Sequence, residues 1–144
     1  METYTPEWLS HQIVKHTQEA IIFADRDGSI QFWNRGAESL FGYSAAEVLG
    51  ASLDLIIPER LRARHQAGYR HVMATGHTQY SQKLLAVPAR RKDGARISIE
   101  FTVVLIQGSS GDIFGVAAII RDVTERWQRE KDTQARLAAL EGTA

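Results

Sequence analysis

Residues 96–105 alternate without a break: Ile97, Ile99, Phe101, Val103 and Leu105 fall on one parity, and Arg96, Ser98, Glu100, Thr102 and Val104 on the other. A period of two belongs to a β-strand with one face turned toward a core, and a slip of one residue would turn all five apolar side chains away from it. Such a strand is not stable alone, so the chain must supply strands that pair with it and a layer that covers its apolar face. Arg91-Lys92-Asp93-Gly94 reads as a tight turn before it, with residues 78–87 as the strand on the far side. After a Gly/Ser loop at 107–112, residues 113–120 are apolar on both parities, as a central strand is.

The first half carries the complementary elements. Residues 5–19 read as a helix, with Thr5 as N-cap, Pro6 in the first turn, and Trp8, Ile13 and Val14 as a modest apolar side. Residues 20–24 and 29–33 read as two strands joined by the turn Asp25-Arg26-Asp27-Gly28. Asn34 begins a run of short helices; one closes at Gly42, and Ser44-Ala45-Ala46-Glu47 fits a capping box whose helix stops at Gly50. Pro58 opens a longer helix reaching about Thr75, with Gly76 as its stop, and a charged helix resumes over about 123–140. The pattern predicts an α+β fold: a five-stranded antiparallel sheet with short helices between strands two and three, flanked by N- and C-terminal helices. A length of 144 residues fits one domain, expected as a flanking helix at 1–19, a core at 20–122 and a linker helix at 123–144.

Composition narrows the function. Seventeen Lys plus Arg balance 17 Asp plus Glu, so the basic surplus of a nucleic-acid binder is absent. No apolar run is long enough to span a membrane and no signal-peptide pattern opens the chain, so a cytoplasmic location is expected. There is no cysteine, which excludes a thiolate metal site, a cysteine nucleophile and any cofactor tethered through sulfur. No motif pairs a nucleophile with a base, and an enzymatic role is not expected. The Asp25–Gly28 stretch resembles the start of a calcium loop but lacks the downstream acidic ligand, so it reads as a hairpin turn. His11 and His16, five apart on the first helix, do not share a face and make a poor half of a metal site.

One histidine stands apart. On a helical wheel Leu61, His65, Gly68, Tyr69 and Val72 share one face, while the arginines at 60, 62, 64 and 70 fall mostly elsewhere. His65 therefore belongs to the apolar stripe, and Gly68, one turn on, would make room beside it for something flat. Periodicity alone leaves two readings open: a packed core histidine and a cofactor ligand.

The order of elements and several motifs resemble the PAS domain family. They are Ile30-Gln31-Phe32-Trp33-Asn34 running into Ala37-Glu38-Ser39-Leu40-Phe41-Gly42-Tyr43, then Glu47-Val48-Leu49-Gly50, Arg91-Lys92-Asp93-Gly94, and Arg121-Asp122-Val123-Thr124-Glu125-Arg126, together covering about residues 12–126. The resemblance implies a sheet cupped around a cavity and used for sensing and protein pairing. Ile57-Pro58-Glu59 through Arg62-Ala63-Arg64-His65 is similar to the segment that carries the axial histidine of haem-binding PAS gas and oxygen sensors. That implies haem b held by His65, with Leu61, Gly68, Tyr69 and Val72 around it and Arg64, Arg70 and His71 as candidates for the propionates.

The distal wall is then expected from Leu84 and Leu85 on the third strand, Phe101 and Val103 on the fourth, and Val116 and Ala118 on the fifth. The sensors' third strand carries a distal arginine, or in the phosphodiesterases a methionine ligand; the corresponding positions here are Leu85 and Lys83. An apolar distal side implies a five-coordinate ferrous haem favouring CO or NO over O₂, unless Tyr80 or Gln82 supplies a donor. The last helix carries a heptad-like seam at Val123, Trp127, Glu130, Gln134 and Leu137. By resemblance it links the core to an output domain or, through the terminal helices, to the second subunit of a homodimer. The alternative is a cofactor-free PAS module that binds a small metabolite or mediates dimerisation.

Overall fold

The alternating segment forms the longest strand of the fold and pairs on both of its edges. The computed structural model describes residues 2–77 and 85–142. In chain order the elements are α1 (Pro6–His16), β1 (Ala20–Asp25), β2 (Ile30–Trp33), α2 (Arg35–Phe41), α3 (Ala45–Val48), α4 (Arg62–Thr75), β3 (Leu85–Arg90), β4 (Arg96–Gln107), β5 (Ile113–Asp122) and α5 (Thr124–Gly142). Two 3-10 turns, Leu53–Ile56 and Glu59–Leu61, lead into α4.

The five strands run in the spatial order β2-β1-β5-β4-β3, and every neighbouring pair is antiparallel. β5 is central, as its two apolar faces require. Register then sets which side chains share a face: Phe101 lies opposite Ile120, Val103 opposite Ala118 and Leu105 opposite Val116, while Ile22 and Ala24 of β1 meet Ala118 and Val116 from the other side. This face is the covered one. Ile97, Ile99, Ile120 and Ile22 are buried on it beneath Phe41 of α2, Val48 of α3 and Ile56 of the first 3-10 turn.

Local chemistry ends several elements where the sequence predicts. Asn34 caps α2 by accepting from the Ala37 N–H, and Gly42 closes the helix at φ 83°. The Ser44–Glu47 capping box forms in full. Asp25 organises the β1–β2 turn by accepting from the Asp27 and Ser29 N–H groups at 3.0 Å each, and Gly28 takes φ 79°. It is a hairpin turn, and among the described residues no group of three or more potential ligands could hold a metal ion.

Several boundaries move. β3 continues to Arg90, because Ala89 and Arg90 still pair with Ile97 and Arg96; residues 78–84 of the expected strand lie outside the described residues. The helix expected from Pro58 begins as a 3-10 turn and becomes α-helical only at Arg62. There the Arg62 Nε donates to the carbonyls of Asp54 and Ile57 at 3.1 and 3.0 Å, which fixes the tighter entry. The N-terminal helix ends at His16, three residues early, and neither α1 nor α5 buries a residue. α5 is tied to the sheet at its root, where Val123 N–H donates to the Ser98 carbonyl and Thr124 Oγ1 accepts from the Ser98 N–H.

Gly115 of β5 lies so close to β1 that a Cβ there would sit 2.0 Å from the Ala24 carbonyl oxygen. Gly115→Ala should therefore lower stability by about 2 kcal/mol or more in urea denaturation, the cost of overpacking against backbone; an unchanged midpoint would contradict the β1–β5 register.

Glu47 accepts from Ser44 and pairs with Lys92 of the β3–β4 turn, and these partners lower its pKa from 4.5 to about 2, the Lys92 contact first. Its contribution to stability is thus present above pH 4.5 and lost as pH falls toward 2. Glu47→Gln keeps the capping geometry but does not titrate, so the stability gap between wild type and variant should close across that window. Curves that stay parallel from pH 5 to about pH 2 would show that the pair carries no linkage.

Candidate functional site

α4 is held by a few specific contacts. Gln66 Nε2 donates to Asp54 Oδ2 at 2.6 Å, and the Tyr69 hydroxyl is shared between the carbonyls of Asp25 and Ala24 at 2.5 and 3.1 Å. The latter contact places α4 at the C-terminal end of β1, where Val116 and Gly115 of β5 pair with it. Burial raises the Tyr69 pKa, with Asp25 and Asp27 adding to the shift, so the hydroxyl stays protonated and able to donate. Met73, one turn on, is buried, and Gly76 ends the helix at φ 74°.

His65 is half-buried one turn before Tyr69, with ring centroids 6.0 Å apart and planes tilted by 36°. Burial lowers its pKa from 6.5, opposed by the nearby Asp54 carboxylate, and so favours the neutral imidazole. Among the described residues no hydrogen bond engages either ring nitrogen, and a neutral imidazole with a free lone pair is a metal ligand.

On the covered face Phe101, Val103, Val116 and Ala118 are half-buried, whereas Ile97, Ile99 and Ile120 are buried. Of the four, Val116 pairs with Ala24 at the end that Tyr69 reaches, while Phe101 lies opposite Ile120 at the other end of β5. Register brings these four together, with Val103 directly opposite Ala118. Leu85 starts β3 opposite Phe101 in the backbone register, and Leu84 lies outside the described residues, as do Tyr80, Gln82 and Lys83.

The helix is rotated relative to the expected wheel. Leu61, Arg62, His65, Tyr69 and Val72 are half-buried and Met73 buried, so the inward arc is centred nearer Tyr69 and Met73. Gly68 falls off its edge: it is exposed, and nothing lies within 4 Å of where its Cβ would be. The expectation that Gly68 shares the inward face is corrected by the Tyr69 and Arg62 anchors, which turn the helix. Arg64, Arg70 and His71 are exposed. Met73 was legible in the 65-69-73 spacing; the carbonyl partners of Tyr69 had no sequence signal. Two surface grooves lie away from His65, one of about 360 Å³ beside Glu19, Gly36 and Arg121 and one of about 430 Å³ beside Phe41 and Lys92.

Comparison with known families decides the lineage. A model of the PAS fold matches residues 14–128.

The chain belongs to the PAS fold family.

This PAS domain is similar to the sensor protein FixL of Bradyrhizobium diazoefficiens, at 30% identity over 137 residues, covering 95% of the chain and 26% of FixL. It is also similar to the oxygen sensor protein DosP of Escherichia coli, at 26% identity over 122 residues, covering 85% of the chain and 15% of DosP. The chain thus spans about a quarter or less of these relatives. The structure of an RNA-binding light-oxygen-voltage receptor superposes with a TM-score of 0.78 at 25% identity, over 96% of this chain and 39% of that one. A PAS domain is a sensory module of signalling proteins, and among the described residues no helix is long and apolar enough to cross a membrane.

Because Gly68 is an exposed helical glycine at an ordinary helical φ, Gly68→Ala should stabilise the protein by about 0.5–1 kcal/mol through helix propensity alone. A loss of stability in chemical denaturation would place Gly68 against a neighbour after all.

Proposed function

We propose that this PAS domain senses a diatomic gas, or the redox state of the iron, at a haem b that His65 would hold. The observation that carries the reading is His65 itself: a half-buried imidazole with a lowered pKa and no hydrogen bond to either ring nitrogen among the described residues, one turn before the Tyr69 that anchors α4 to a sheet whose covered face carries the apolar Phe101, Val103, Val116 and Ala118. A flat apolar ring with one metal at its centre fits that donor set: one nitrogen ligand and hydrocarbon on the other side. The motif Ile57-Pro58 through His65 and the likeness to a sensor protein and an oxygen sensor protein point the same way. The fold shared with a light-oxygen-voltage receptor does not itself choose a cofactor.

Bound haem would supply an iron with a coordination position open to gas. His65 would hold the iron; Leu61, Tyr69 and Val72 would flank the ring; the exposed Arg64, Arg70 and His71 are the candidates for its carboxylates. Val103, Val116 and Ala118 carry no side-chain hydrogen-bond donor, which favours CO or NO over O₂, since bound O₂ gains most from a donor. The signal would leave through α1 and α5, whose exposed Trp8, Ile13 and Leu137 are available to a second subunit or an output domain.

The tilted packing of His65 against Tyr69 favours a second reading, a cofactor-free module in which His65 only packs. Reconstitution separates the two. Purified protein given haemin should acquire a Soret band that His65→Ala abolishes or shifts while its far-UV circular dichroism is unchanged. A wild-type protein that stays colourless, or an identical band in the variant, would overturn haem ligation by His65.

A further inference from the structure

Asn34 is the polar side chain most completely enclosed among the described residues, 2% exposed, and it uses every hydrogen-bonding position it has. Its Oδ1 accepts from Ile21 N–H at 2.8 Å and from Ala37 N–H at 2.9 Å. Its Nδ2 donates to the Val14 carbonyl at 2.7 Å and the Glu19 carbonyl at 3.0 Å. Capping α2 requires only the bond from Ala37, and Asp or Ser serves a cap equally well. The two donations require an amide, and both reach the exit of α1: Val14 in its last turn and Glu19 in the linker to β1.

A second feature presses on the same linker. A Cβ on Gly36, in the first turn of α2, would lie 2.2 Å from the Glu19 carbonyl oxygen and 2.6 Å from that of Gln18. The linker therefore lies directly on the backbone of α2. The Glu19 carboxylate in turn pairs with Arg121 Nε at 2.8 Å, next to Asp122, whose carboxylate accepts from the Thr124 N–H at the start of α5. The exit of α1 and the entry of α5 thus meet at Glu19.

We propose that Asn34 is a positioning residue that clasps the exit of α1 to the first turn of α2, so that the docked position of α1 follows α2. The clasp does not depend on which cofactor, if any, the core holds.

The absence of cysteine supplies the test. A single cysteine introduced at the exposed His11 of α1 takes a nitroxide spin label, and one at the exposed Gln107 of β4 serves as control. Asn34→Asp keeps both acceptor bonds but sets carboxylate oxygen against the Val14 and Glu19 carbonyls at neutral pH. Spectra of the full chain should show the rotational correlation time at position 11 falling at least about twofold in Asn34→Asp, with position 107 unchanged. Asn34→Ser, which can cap but cannot reach Val14, should do the same and serves if the Asp variant does not fold. An unchanged label at position 11, or equal loosening at both positions, would overturn the clasp and leave Asn34 a general core residue.

Discussion

The antiparallel pairing of β4 with β5, and of β5 with β1, is the constraint on which the rest of the molecule depends. It places Val103 beside Ala118 and Ala118 beside Ile22, so that a single face of three strands collects the apolar residues of one parity. A shift of one residue would send that whole set to solvent. Gly115 shows how close the pairing is, since no side chain fits between its backbone and Ala24. Everything that covers the sheet, from Phe41 and Val48 to the 3-10 turn at Ile56, is positioned by that face.

The covering layer is uneven. Under α2 and α3 the face is closed by apolar packing around Phe41, Trp33 and Ile99. Toward α4 the same face stays half-buried, and the helix is attached instead through polar contacts, Tyr69 to the end of β1 and Arg62 to the preceding turn.

Much of this was legible before any coordinates. The alternation at 97–105 marks β4 and its inward residues, the double-sided apolarity of 113–120 marks the central strand, and Asn34, Gly42, Ser44, Glu47 and Gly76 mark helix ends through the orphan N–H and C=O groups each must satisfy. His65 stood out because an imidazole in an apolar stripe is unusual. The helical wheel misplaces Gly68, because an ideal period predicts which residues share a face but not how far the face rotates when Tyr69 and Arg62 find distant partners. The role of Asn34 beyond capping was hidden for the same reason: its donors reach Val14 and Glu19, residues 20 and 15 positions away.

The sequence by itself determined the elements, many of their caps and the parity of each strand, since these follow from backbone sterics and from side-chain periods of 2 and 3.6 acting over a few residues. Only the tertiary structure decided the strand order β2-β1-β5-β4-β3, the rotation of α4 and the joining of both flanking helices at Glu19. These depend on contacts between residues far apart in the chain, where the free energy of burying one face against another, not local preference, chooses the arrangement.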